Sequence, residues 1–271
     1  MTGPKIGLAL GAGGAKGLAH IGVLQVLEEA KIPIHLITGS SMGAAIGSIY
    51  AAGAQLSMME KLALELNNSH FIDLVIPKWG LVKGKKAHAL LRLMTHNYNF
   101  GELKIPVGVV ATDLVCGERI VFKEGNVANA VRASIAVPGV VEPYQWDGRI
   151  LVDGAVCDRV PAQLAQEMGA DIVISVDLQF YNREKVEITS IFDVIMQSIE
   201  LLERQVSNYY TSYTDIIVKP RVSDYNWTDF NAAGHFIEMG RMACREVLDE
   251  INQKIAIFKD KEQWKSARVD Y

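Results

Sequence analysis

The chain has 271 residues, 49% hydrophobic and 21% charged, and its 27 Lys+Arg against 31 Asp+Glu leave a formal net charge of −4. This composition supplies a substantial core and excludes a disordered chain, while the lack of a basic excess argues against a nucleic-acid binder. No stretch of about 18 apolar residues escapes a charged, polar or glycine break, so no membrane-spanning helix is expected. In chain order, the apolar run Lys5 to Leu10 predicts a buried strand. Leu18 to Ala30 carries apolar residues at helical spacing before Pro33, and His35 to Thr38 predicts a second strand. Helices are predicted over Met42 to Ala52 and Leu56 to Leu66. Residues 67 to 101 suggest a loop-rich cap with a helix near Ala87 to Met94. Strands are expected at Val107 to Thr112, Arg119 to Phe122, Ile150 to Val152 and Asp171 to Asp177. Between them lie predicted helices at Val127 to Ser134 and Pro161 to Met168, the latter with proline in its first turn. A long helix over Thr189 to Tyr210, a strand at Asp215 to Val218 and a last helix over Phe230 to Ile257 complete the pattern. Alternating strands and helices predict an α/β protein with three α/β/α layers and a mostly parallel central sheet, folded as one domain over 1 to 271.

The N-terminus shows no signal-peptide pattern, because Lys5 precedes an apolar run that dissolves early into glycines. Cys116, Cys157 and Cys244 are scattered, with no CxxC pair or Cys/His cluster at zinc spacing. A reducing, cytoplasmic setting without a metal or cofactor is the expectation.

Gly11-Ala12-Gly13-Gly14-Ala15-Lys16-Gly17 lies between the first strand and the first helix. Glycines there let successive backbone N–H groups converge on one anion, and the helix N-terminus adds positive potential. Three ligands compete. A dinucleotide site also wants an acidic residue at the end of the second strand, where Thr38 and Gly39 stand instead. A phosphate loop ends in Gly-Lys-Ser/Thr, whereas Lys16 is flanked by Ala15 and Gly17. The third is an oxyanion developing in a transition state. A purely structural turn is the plain alternative.

Gly39-Ser40-Ser41-Met42-Gly43 follows a strand and opens a helix, the context of a nucleophile elbow that lifts Ser41 out of the sheet. A serine helix cap is the alternative, with Ser40 able to supply the cap and leave Ser41 free. A nucleophilic serine needs a base. One solution is a Ser-His-Asp triad of Ser41, Asp177 and His235, although only 40 residues precede Ser41 and His235 falls on an amphipathic helix. The other is Asp153 in Leu151-Val152-Asp153-Gly154-Ala155, where a strand runs into a glycine turn. An ordinary carboxylate is a weak base toward a hydroxyl, and burial in apolar surroundings strengthens it. Asp113 and Asp177 compete for this role, and a turn-forming Asp-Gly is the structural alternative.

These motifs occur together and in order. Gly13-Gly14-Ala15-Lys16-Gly17, Gly39 to Gly43 and Asp153-Gly154-Ala155 resemble the motifs of the patatin-like phospholipase family, in particular its compact bacterial members. Arg132-Ala133-Ser134 with Pro138-Gly139, and Gly169-Ala170-Asp171 leading to Asp177, also look like that family, so the similarity spans roughly residues 5 to 178. The resemblance implies a Ser-Asp dyad without histidine: Ser41 as nucleophile, Asp153 as base and later acid. Gly13, Gly14 and Ala15 would form the oxyanion hole, with Lys16 beside it. One departure is Ala12 where many members have glycine. The implied substrate is a lipid or other acyl ester, and no cofactor is implied. A patatin-like binding module without turnover is the alternative, although such a scaffold needs neither Ser41 nor Asp153. Phe71, Ile76, Trp79 and Leu81 interleave with Lys78, Lys83, Lys85 and Lys86. That mixture reads either as a solvated loop with a few anchors or as transient peripheral contact with the inner membrane surface.

Overall fold

The computed structural model describes residues 3–65, 80–179 and 208–269, with isolated positions between 188 and 202. Strands β1 (Ile6–Leu10), β2 (Leu36–Ser40), β3 (Val107–Asp113), β4 (Arg119–Phe122), β5 (Tyr144–Trp146), β6 (Arg149–Asp153), β7 (Ile172–Val176) and β8 (Ile216–Val218) form one sheet. Its order is β5-β6-β3-β2-β1-β7-β8, with β4 also paired to β3. β3, β2, β1, β7 and β8 run parallel. β4, β5 and β6 add antiparallel pairings at one side.

The central strands are fully buried, as expected when helices cover both faces. Alternation along β1 divides its side chains between two cores. Ile6, Leu8 and Leu10 join the larger one. That core is completed by α1 (Ala19–Glu29), α2 (Met42–Ala51), α3 (Leu56–Glu65), α4 (Lys85–Met94), α5 (Val127–Ser134) and α7 (Ala233–Glu246). Ala9 faces a smaller cluster under α6 (Ala162–Glu167). The three-layer expectation is met.

The structure departs from the expected elements in two places. β5 was not expected: it pairs with β6 across Asp147-Gly148, both at positive φ, and Asp-Gly is a favoured hairpin turn. The last helix is two. A short turn at Phe230–Ala232 leads into α7, and α8 (Leu248–Val269) follows a break at Val247, where φ is −109° and ψ 4°. There the Val247 amide bonds the Cys244 carbonyl, three residues back. Of the helix expected over 189 to 210, most lies outside the described residues, as do Phe71, Ile76, Lys78 and Trp79 of the cap.

Candidate active site

Ser41 and Asp153, 112 positions apart, meet in a hydrogen bond of 2.6 Å from Ser41 Oγ to Asp153 Oδ2. Sheet register brings them there. Ser40 pairs with Val110 of β3, and the next β3 residue, Ala111, pairs with Asp153. β2 and β6 flank β3, so residues that leave them at neighbouring rungs of β3 come within reach of one another.

Ser41 has φ 53° and ψ −122°, a conformation that costs a non-glycine residue about 1–3 kcal/mol and persists only when its surroundings enforce it. The enforcement is visible. The Ser41 N–H donates to Ser134 Oγ at 2.8 Å, and the Ser41 carbonyl accepts from Ala45 N–H in the first turn of α2. The helix then passes so close to the sheet that a Cβ at position 43 would lie 2.1 Å from the Leu10 carbonyl oxygen. At position 39 it would lie 2.5 Å from the Ala44 backbone. Both glycines of the motif are thus required by close approach. Ser41 occupies the N-cap position without capping through its side chain. Ser40, expected to supply the cap, ends β2 instead, with its hydroxyl buried and unbonded among the described residues. The hydroxyl of Ser41 therefore stands at the positive end of α2, where negative charge on oxygen is stabilised.

Asp153 is aimed by its own backbone and the turn that follows. Its Oδ1 accepts from Ala155 N–H at 2.9 Å, leaving Oδ2 for Ser41. Its N–H donates to the Ala136 carbonyl and its carbonyl accepts from Thr112 Oγ1. Ser41 and Asp153 are 6% and 4% exposed, so their hydrogen bond works in a poorly solvated setting.

The glycine loop is pinned on several sides. Gly11 N–H donates to the Val176 carbonyl, Ala12 N–H to the Arg159 carbonyl and Ala15 N–H to the Trp227 carbonyl, at 3.1, 3.0 and 2.7 Å. The Gly11 carbonyl is bonded by His20 Nε2 at 2.7 Å. Burial pushes His20 down to about 4, opposed by that hydrogen bond, so the ring is neutral near pH 7 and donates from Nε2. Among the described residues the amides of Gly13 and Gly14 have no acceptor. Of the residues expected around the oxyanion, Ala15 thus has its N–H engaged by Trp227. Lys16 is buried in the 3-10 turn Gly14–Leu18, which also contains Gly17.

Ser41 and Gly14 open onto an apolar cavity of about 430 Å³. Leu18 and Ile21, Ala45 and Ile46 of α2, Met59 of α3, Leu91 of α4, and Trp227 and Phe230 line it. The competing residues have other partners. Asp177 Oδ1 accepts from Gln179 N–H, and Asp113 is paired with Arg149 at 2.9 Å. His235 is exposed on α7, its ring 4.7 Å from that of Tyr225. Among the described residues no His/Cys/Asp/Glu group could hold a metal ion, and no helix is long and apolar enough to cross a membrane.

His20, Ser134, Arg159 and Trp227 support the site without a role predicted from sequence. Ser134 belongs to a noticed motif, and a histidine in the first turn of an apolar helix is a weak signal of burial. Nothing local marks Arg159 or Trp227, whose contacts join residues far apart in the chain.

A family model described as patatin-like phospholipase matches residues 8–165. An uncharacterized NTE family protein of Mycobacterium tuberculosis is 39% identical over 177 residues, covering 65% of this chain and 49% of that protein. Patatin-like phospholipase domain-containing protein 6 of Homo sapiens is 34% identical over 186 residues, 66% of this chain and 14% of that protein. The chain spans about half the length of the mycobacterial relatives it matches. Among solved structures, VipD from Legionella pneumophila superposes with a TM-score of 0.66 at 14% identity, covering 92% of this chain and 67% of that one. At such identity the likeness is one of fold.

Proposed function

Because this chain belongs to the patatin-like phospholipase family, we propose that it is a serine acyl-ester hydrolase that cleaves lipid esters with Ser41 and Asp153. The observation that carries this reading is the 2.6 Å bond between Ser41 Oγ and Asp153 Oδ2 at the wall of an apolar cavity. A buried serine-carboxylate pair fits general-base activation of a nucleophile, and the cavity beside it fits an acyl chain.

In the proposed reaction Asp153 takes the Ser41 proton as Oγ attacks the ester carbonyl. Charge moves to the carbonyl oxygen, which receives the N–H groups of Gly13 and Gly14. Collapse of this intermediate breaks the ester bond, and the departing alcohol takes the proton from Asp153. Water, deprotonated by Asp153, then attacks the acyl-serine, releasing the fatty acid and returning the proton to Ser41. One oxyanion donor is typically worth about 3–4 kcal/mol in such a step.

A lipid must also reach the cavity. Leu81, on the cavity wall, is 40% exposed, and Lys83, Lys85 and Lys86 are exposed beside it. This apolar edge with a basic fringe supports transient contact with an anionic lipid surface.

Ser41→Ala and Asp153→Asn are each expected to abolish hydrolysis of a short p-nitrophenyl ester while thermal unfolding stays cooperative. Wild-type turnover in either folded variant contradicts the proposal.

A further inference from the structure

Arg159 reaches the glycine loop twice. Its carbonyl accepts from Ala12 N–H at 3.0 Å, and its guanidinium Nη2 donates to the Ala12 carbonyl at 2.8 Å. We propose that Arg159 is the positioning residue of the oxyanion site, fixing the Ala12–Gly13 peptide so that Gly13 N–H meets the charge developing on the ester oxygen. This inference rests on the acyl-ester hydrolysis proposed above.

The Ala12 carbonyl and the Gly13 N–H belong to the same planar unit and point in opposite directions. A donor fixed on the carbonyl therefore fixes the direction of the N–H at the other end. Gly13 is free to rotate as few residues are, so an unheld peptide there would not keep its aim. The preceding Gly11–Ala12 peptide is held by His20 on its carbonyl and by the Arg159 carbonyl on its N–H, and the one before it by Val176 on Gly11 N–H. Arg159 completes the restraint at the peptide that carries Gly13 N–H, the first of the two amides that lack an acceptor among the described residues.

The donor's charge adds a second effect. A guanidinium stays protonated at any working pH, and Arg159 is only 7% exposed. A cation on the carbonyl oxygen draws electron density through the peptide and makes its N–H a stronger donor, more so where water is scarce. Arg159 also lies on the segment that follows Asp153 through its turn. One stretch of chain thus delivers both the base and the clamp on the oxyanion loop, keeping the two in register.

The test compares wild type, Arg159→Met and Arg159→Lys in steady-state ester hydrolysis, with Ser41→Ala as the blank. Binding of a trifluoromethyl ketone, which forms a tetrahedral adduct, is measured beside binding of the free fatty acid. Arg159→Met is expected to lower kcat about 100-fold with KM within about twofold, as for a lost oxyanion donor. Ketone affinity should fall in parallel while fatty-acid affinity is unchanged, and Arg159→Lys should recover part of both losses. If Arg159→Met does not fold, the ketone-against-fatty-acid split in Arg159→Lys decides. Wild-type kcat and ketone affinity in the folded variants overturn the proposal. So does an equal loss of fatty-acid affinity, which marks a merely structural tie. Wild-type protein without Ser41-dependent turnover sinks the hydrolase reading and this inference with it, whereas Ser41-dependent turnover indifferent to Arg159 sinks only the inference.

Discussion

Burial pushes the His20 imidazole from 6.5 down to about 4, against the opposing pull of the Gly11 carbonyl. Its folded-state value lies below its unfolded one, so between those values the unfolded chain holds a proton that the folded chain does not. The stability involved is present in full above about pH 6.5 and is lost as pH falls toward 4, by roughly 3 kcal/mol at pH 4. Urea denaturation between about pH 7.5 and 4.5 should show this loss in wild type and a flatter profile in His20→Asn. Equal slopes in the two proteins would contradict the assignment. His20 also marks the boundary of what sequence can reveal at this scale. Ser41 and Asp153 stand inside motifs whose glycines and flanking strands declare the backbone geometry they need. His20, Ser134, Arg159 and Trp227 act through contacts that only the folded chain creates, and nothing in the immediate sequence of Arg159 or Trp227 marks them.

Between elements, α1 and α7 cross with their backbones close together. A Cβ on Gly22 would lie 1.9 Å from the Ile237 carbonyl oxygen, and one on Gly240 would lie 2.0 Å from the Ala19 carbonyl oxygen. The two backbones touch, and Phe236 and Ile237 are fully buried beside them. Gly240→Ala should therefore force the helices apart and cost about 2–3 kcal/mol in chemical denaturation. A change below about 0.5 kcal/mol would show that the crossing relaxes freely. Because α1 follows directly from the glycine loop, this contact also seats the loop against the C-terminal part of the chain. The helices and parallel strands were legible because their apolar periods are long and their glycine and proline boundaries sharp. The short hairpin strand β5 has only three residues, too few for alternation to register, although its Asp-Gly turn was a usable signal. The division between α7 and α8 occurs within a continuous amphipathic pattern, at a valine that carries no breaker character.

Across the molecule, the cavity is assembled from parts that the sequence scatters widely. α2 supplies one wall, α3 and α4 another, and Trp227 and Phe230 come from beyond the residues that the family model matches. The family motifs therefore hold Ser41 and Asp153, while the cavity beside them also draws on regions without motifs. Ile46, 5% exposed and part of the lining, lies on α2, the helix that begins just after Ser41. Ile46→Trp should fill the cavity and lower kcat/KM for long-chain p-nitrophenyl esters at least about tenfold more than for the acetate. Equal effects on both would place the acyl chain elsewhere.

The most direct measurement of the central claim is labelling of the purified protein with a fluorophosphonate, followed by mass mapping of the adduct. A single adduct on Ser41, lost in Ser41→Ala and formed far more slowly in Asp153→Asn, is the expected result. An adduct on another residue, or labelling that persists in Ser41→Ala, would contradict the account.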